Sequence, residues 1–185
     1  LDDYNISRED REDFLASLQK KHEECVAQVP EEKANAGVDR CFKASVQTLA
    51  LYLGDIAFRK GVREHVSDPD RLNELAEGFK KNFTSCLAQK KEASLNDYIA
   101  NVTDCGDRLT VNFTRDLGLE QLNTALNASL SGEENAALRT SLGERLSADF
   151  SRCLEKARDK ESADPCVATL TKKATFEIAR EAARQ

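Results

Sequence analysis

The sequence predicts an all-α protein of about seven helices, forming three disulfide-clamped antiparallel hairpins packed into one bundle-like domain. Three observations lead to that class. Apolar residues recur at helical spacing along nearly all of the 185-residue chain, and strand-like alternation is almost absent. Six cysteines fall into three pairs, Cys25 with Cys41, Cys86 with Cys105 and Cys153 with Cys166, whose equivalent members recur after 61 to 67 residues. The midpoint of each pair also falls within a few residues of independent helix-stop and helix-start signals.

The first helix opens at Ser7, with Asp10 three residues on as in a capping box. It carries Phe14, Leu18, His22, Cys25 and Val29 on one stripe as far as Pro30. The second gathers Val38, Cys41, Phe42, Val46, Leu49, Leu53 and Ile56 on one face and runs to about Val66. Asp68-Pro69 restarts the chain, aspartate as N-cap and proline at the first helical position. Leu72, Leu75, Phe79, Phe83, Cys86 and Leu87 line the third helix. Ser94 with Asp97 opens the fourth, whose stripe is Leu95, Tyr98, Val102, Cys105, Leu109 and Phe113 and whose stop is Gly118.

A shorter fifth helix carries Leu119, Leu122, Leu126 and Leu130. The run Ser131 to Glu134 reads as a capping box for the sixth, which turns Leu138, Leu142, Leu146, Phe150, Cys153 and Leu154 inward. Asp164-Pro165 repeats the earlier start signal for the last helix, marked by Cys166, Val167, Leu170, Ala174 and Ile178. No linker rich in Gly, Pro or Ser interrupts the chain. The expectation is one domain over 1–185, with hairpin repeats at approximately 7–66, 69–118 and 132–184.

Bridged residues of an antiparallel hairpin lie at equal distances from its turn. The cysteine midpoints therefore predict hinges at Lys33, between Leu95 and Asn96, and around Asp159 and Lys160. Six cysteines allow fifteen pairings, and this agreement selects the sequential one. The cysteines include no Cys-x-x-Cys and have no histidine at ligand spacing, so disulfides and an oxidising compartment are expected rather than metal or redox chemistry.

Asn5, Asn82, Asn101, Asn112 and Asn127 each begin an Asn-x-Ser/Thr glycosylation sequon. Five of ten asparagines are thus sequons, where the Ser and Thr content would give about one by chance. The excess points to a secreted glycoprotein, with a bacterial periplasmic protein as the alternative. The absence of Met and the start at Leu1 are read as marks of a removed signal peptide.

Composition excludes several classes. A net charge of −6 disfavours nucleic acid as a partner, and no apolar run approaches the length of about 20 residues that spans a bilayer. Of the two histidines, His22 lies on an inward stripe and His65 follows Glu64; neither belongs to a zinc or di-iron pattern. No phosphate loop, dinucleotide fingerprint or nucleophile elbow is present. No catalytic residue, cofactor or metal ligand is therefore expected, and the protein is not expected to be an enzyme. The leading expectation is a rigid helical surface that binds a protein partner. The alternative is an extracellular carrier of a small hydrophobic or lipid-like ligand held between helices, with Phe42, Phe58, Phe79, Phe83, Phe113 and Phe150 around it.

Overall fold

A computed structural model describes residues 7–63, 66, 68–91 and 94–184; the Asn5 sequon and His65 lie outside them. The described residues contain six α-helices and no strand: α1 (Arg8–Ala27), α2 (Ala34–Arg63), α3 (Pro69–Ala88), α4 (Leu95–Ser129), α5 (Ala136–Leu154) and α6 (Lys160–Ala182). The chain divides into two compact units, Leu1–Gly106 and Asp107–Gln185. The division falls inside α4, where the sequence offers no linker signal.

In the first unit, α1 and α2 pack as a hairpin whose turn is Pro30 followed by a 3-10 turn at Glu31–Lys33, at the predicted hinge. The Ser7 cap forms as expected, its Oγ accepting from the Asp10 amide at 3.0 Å. The Cys25–Cys41 bridge clamps the bend with its Cα atoms 5.8 Å apart. Gly37 makes that bend tight: a Cβ there would stand 2.2 Å from Val29 Cγ1. Along the hairpin Phe14 stacks on Tyr52 at 3.7 Å between ring centres. His22 Nδ1 lies 3.0 Å from Ser45 Oγ, which itself donates to the Cys41 carbonyl. With its one hydroxyl proton committed there, Ser45 accepts from the imidazole N–H. His22 is thus a half-buried boundary residue satisfied by its neighbour helix.

A second side of α2 packs against α3. Phe58, Val62, Leu72, Ala76, Phe83 and Leu87 are buried there, and Phe79 links them, 5.1 Å from Phe58 and 6.2 Å from Phe83 between ring centres. A half-buried ionic cluster crosses the same seam: Asp55 is 3.0 Å from Arg59 and 3.4 Å from Lys80. Hydrogen bonding to Glu77 and the nearby Asp55 raise the Lys80 pKa against the opposing effect of desolvation.

Of the apolar stripe expected at the core of α2, only Cys41 is fully buried. Val38 and Phe42 are each 40% exposed, and Val46, Leu49, Leu53 and Ile56 are only half-buried. The remaining contacts come from outside the stripe, Ser45 and Tyr52 toward α1 and the buried Phe58 and Val62.

Asp68 and Pro69 start α3 as predicted, Asp68 accepting from the Asp70 amide. Ser94 caps α4 through the Asp97 amide at 3.2 Å. The connection between α3 and α4 ends just before the predicted hinge, because the Cys86–Cys105 bridge joins the last turn of α3 to the third turn of α4 and is not equidistant from the bend. Lys90 supports it with a 2.5 Å ion pair to Asp104.

The second unit is built on i, i+4 rows: Leu122, Leu126 and Leu130 of α4 and its end; Leu142, Leu146, Phe150 and Leu154 of α5; Cys166, Leu170, Ala174 and Ile178 of α6. Such rows place one residue per turn on a single face, and each fully buried Leu or Phe among them contributes about 1.5–3 kcal/mol. The Cys153–Cys166 bridge joins α5 to α6.

Three sequence signals resolve differently from expectation here. Gly118 does not end a helix: α4 runs through it, merging the predicted fourth and fifth helices and giving six in place of seven. Its lack of a side chain admits the Phe150 ring, whose Cε1 would stand 2.6 Å from a Cβ. Ser131 to Glu134 does not form a capping box either. Gly132 turns the chain at φ 104°, Glu133–Asn135 is a 3-10 turn, and the Ser131 carbonyl accepts from Asn135 Nδ2 at 2.9 Å. Arg139 donates to the carbonyls of Leu130 and Gly132, satisfying the end of α4.

The last helix begins five residues before Asp164-Pro165. Asp159 accepts from the Ser162 amide at 2.9 Å and Ser162 Oγ accepts from the Asp159 amide at 3.1 Å, a complete capping box that outcompetes the later signal. Pro165 then lies within the second turn, where its missing N–H leaves only the Glu161 carbonyl without a helical donor.

Three carboxyls of this unit are held below their ordinary range: Asp149 chiefly by the Lys173 hydrogen bond, Asp159 by Ser162 and Glu181 by Arg180. A carboxyl depressed on folding adds stability above its unfolded pKa of about 4 and loses it as pH falls through the folded value. The urea midpoint of this unit is expected to be flat between about pH 7 and 5 and to decline below about 4. None of the three residues is fully buried, so solvent screens these contacts and the slope is shallow; a midpoint unchanged down to about pH 2 would show that none of these contacts persists in solution.

Candidate functional site: an uncharged groove between α4 and α6

Within the second unit, α5 packs against α6 and α4 lies on Phe150 through Gly118 and on Gly143 through Leu126. Between α4 and α6 this leaves a groove of about 470 Å³. Its α4 wall is Gly118, Gln121, Leu122, Ala125 and Ser129. On α6 the floor is Leu170, Ala174 and Ile178, all buried, and the wall rises through Val167, Thr171, Thr175, Ala179 and Ala182. Thr171 donates its hydroxyl to the Val167 carbonyl at 3.0 Å, so its polarity is met within its own helix.

Two properties separate this groove from the rest of the surface. None of its thirteen lining residues is charged, although 32% of the chain is, a share that would place about four charges among them. Its walls also follow helix-packing spacing: Gly118, Leu122, Ala125 and Ser129 step by four, three and four, and Val167, Thr171, Ala174 and Ile178 do the same. This is the 3-4 pattern of a helix seam, with small residues where a third backbone could approach closely.

The sequence pointed to Leu122, Val167, Leu170, Ala174 and Ile178 of this groove and missed most of the small and polar residues of its walls. Leu122, Leu170, Ala174 and Ile178 are core positions by periodicity, but the adjacent row of Gly, Ala, Ser and Thr carries no individual signal. Of the phenylalanines expected around a ligand, Phe58, Phe79 and Phe83 form the α2–α3 seam of the first unit, Phe42 of that unit is 40% exposed, and Phe150 belongs to the core of the second.

All three disulfides join the cysteines that spacing paired, and no cysteine is free. Asn82, Asn112 and Asn127 are exposed, whereas Asn101 is half-buried and its Nδ2 is shielded from solvent without a hydrogen-bond partner. Asn101 and Asn112 stand eleven residues apart, about 1,100° on one helix, so their spacing alone predicts that both lie on one open side of α4. Asn101 lies in the first unit with its amide shielded, whereas Asn112 lies in the second and is exposed, so the expectation of two open positions fails at Asn101.

The most sheltered carboxylates each face a cation: Asp55 as described above, Glu177 at 3.3 Å from Arg145 and 2.5 Å from Arg180, and Glu181 at 3.0 Å from Arg180. Among the described residues no cluster of three or more His, Cys, Asp or Glu is placed to hold a metal ion, and no helix is long and apolar enough to cross a membrane. Compared with known proteins, the chain matches no family model, no curated protein and no solved structure.

Proposed function

We propose that this is a secreted, N-glycosylated and disulfide-stapled binding protein that receives an apolar helix of a protein partner in the α4–α6 groove. The observation that carries the reading is an uncharged groove with helix-seam spacing on both walls. From Gly118 to Ser129 the α4 wall is about 16 Å long, enough for about three turns of a bound helix presenting i, i+3/i+4 and i+7 anchors. The staples favour the same use, since a surface fixed in advance loses less entropy when a partner docks. Disulfides also suit the oxidising compartment to which the sequons point.

The second reading, a carrier of a small hydrophobic ligand, draws on the same volume, which lies within the range of about 300–1,000 Å³ of ligand pockets. The exposed upper wall at Thr175, Ala179 and Ala182 favours a helix over an enclosed lipid.

A display library of helical 15-residue peptides tests both. Selection is expected to enrich sequences with apolar residues at helix-seam spacing, and Thr175→Glu with Ala179→Glu, both at exposed positions, should reduce their binding at least tenfold. Binders unaffected by this pair of charges would place the interaction elsewhere. Saturable uptake of a fluorescent fatty acid that the same substitutions abolish, with no peptide enriched, would replace the partner helix by the small ligand.

A further inference from the structure

Each of the four described sequons lies within a helix, Asn82 in α3 and Asn101, Asn112 and Asn127 in α4. Their side chains differ in one respect that bears on chemistry: Asn82, Asn112 and Asn127 are exposed, and Asn101 has its Nδ2 buried. We propose that Asn82, Asn112 and Asn127 carry N-linked glycans in the folded protein and that Asn101 carries none; the proposal rests on the eukaryotic secretory reading above.

Transfer from a polyprenyl-diphosphate-linked oligosaccharide forms an Nδ2–C1 bond and breaks the C1–O bond to diphosphate. The diphosphate leaves with the bonding electrons, and the amide gives up one proton. The product is a bulky sugar attached directly to Nδ2, so that atom must face solvent in the final fold. Folding also engages the hydroxyls of two sequons in the helix: Thr84 donates to the Lys80 carbonyl at 3.0 Å and Thr103 to the Ile99 carbonyl at 3.3 Å. Modification therefore precedes helix formation, and the fold then accepts only chains whose sugars point outward. A sugar on Asn101 would have to fit where no solvent reaches, four residues from the bridged Cys105. Such a chain could not close this helix against its surroundings.

The two allowed positions in the second unit, Asn112 and Asn127, leave the candidate groove bare. Asn127 follows Gly118 by nine residues, a rotation of about 900°, which puts it on the opposite side of α4. Asn112 precedes Gly118 by six residues, about 600°, and lies about 120° away from that wall.

The test is site-resolved glycopeptide mass spectrometry on protein secreted by a glycosylating host, with the three disulfides verified. Glycans are expected at Asn82, Asn112 and Asn127 and an unmodified asparagine at 101. In parallel, Asn82→Gln, Asn112→Gln and Asn127→Gln should each remove one step of electrophoretic mobility, and Thr103→Ala should remove none. A glycan on Asn101 in folded, fully oxidised protein overturns this inference and leaves the secretory reading intact. An exposed site found bare also overturns it. Bare asparagines at all four positions in correctly bridged protein would remove the eukaryotic secretory reading itself.

Discussion

Replacing Phe150 by alanine is expected to lower the stability of the second unit by about 3–5 kcal/mol, the range for truncating a fully buried aromatic ring. Phe150 is 2% exposed, belongs to the continuous core of α4, α5 and α6, and lies against the backbone of α4 at Gly118. Removing the ring leaves a void bounded by a glycine, which has no side chain with which to fill it. The complementary change separates packing from helix propensity. Gly118→Ala should gain about 1 kcal/mol in a free helix, yet its Cβ would meet Phe150 Cε1 at 2.6 Å and Cζ at 2.8 Å. Overpacking of this kind costs about 1–3 kcal/mol, so the net effect is expected to be destabilising. Combined with Phe150→Ala, the same Gly118→Ala should become stabilising. Urea denaturation of the two single variants and the double variant decides the matter, and additive effects would mean that ring and glycine are not in contact.

The second large effect concerns α1. This helix contributes no fully buried residue; it is held to α2 by the Phe14–Tyr52 stack, the His22–Ser45 hydrogen bond and the Cys25–Cys41 bridge. A bridge spanning 16 residues stabilises by about 3 kcal/mol, and no fully buried side chain of α1 stands behind it. Cys25→Ser with Cys41→Ser is therefore expected to release α1 locally while the α2–α3 seam persists. Hydrogen exchange over residues 8–27 should rise by about a hundredfold, consistent with a loss near 3 kcal/mol, while residues 72–87 keep their protection. Equal loss of protection in both segments would show that α1 is a cooperative part of the first unit.

How far the chain was legible depended on how local each signal is. The caps at Ser7, Asp68 and Ser94 involve groups two or three residues apart, and they formed where the sequence placed them. The cysteine pairing was legible because a hairpin makes spatial neighbours of residues at positions that its turn determines. Ser131 and Asp164 failed because an equally local alternative stood nearby: the 3-10 turn at Glu133–Asn135 in one case, the Asp159–Ser162 box in the other. Gly118 failed for a different reason, since a helix stop and a packing notch look alike until the residue facing the glycine is known, and Phe150 is 32 positions away. The incompletely buried stripe of α2, the groove walls and the buried amide of Asn101 are of that same kind. Each is set by which helix lies alongside, and no spacing within one helix encodes it.

The three bridges join each cysteine to the next one along the chain, across 16, 19 and 13 residues. A polypeptide synthesised from its N-terminus exposes its segments in that order, at about 5–20 residues per second. Each thiol thus meets its correct partner seconds after it appears, and before the next pair exists to compete. The native pairing is also the earliest one available, so oxidation can keep step with synthesis without later exchange between bridges. A nascent chain halted anywhere between Cys41 and Cys86, or between Cys105 and Cys153, already holds only matched cysteines.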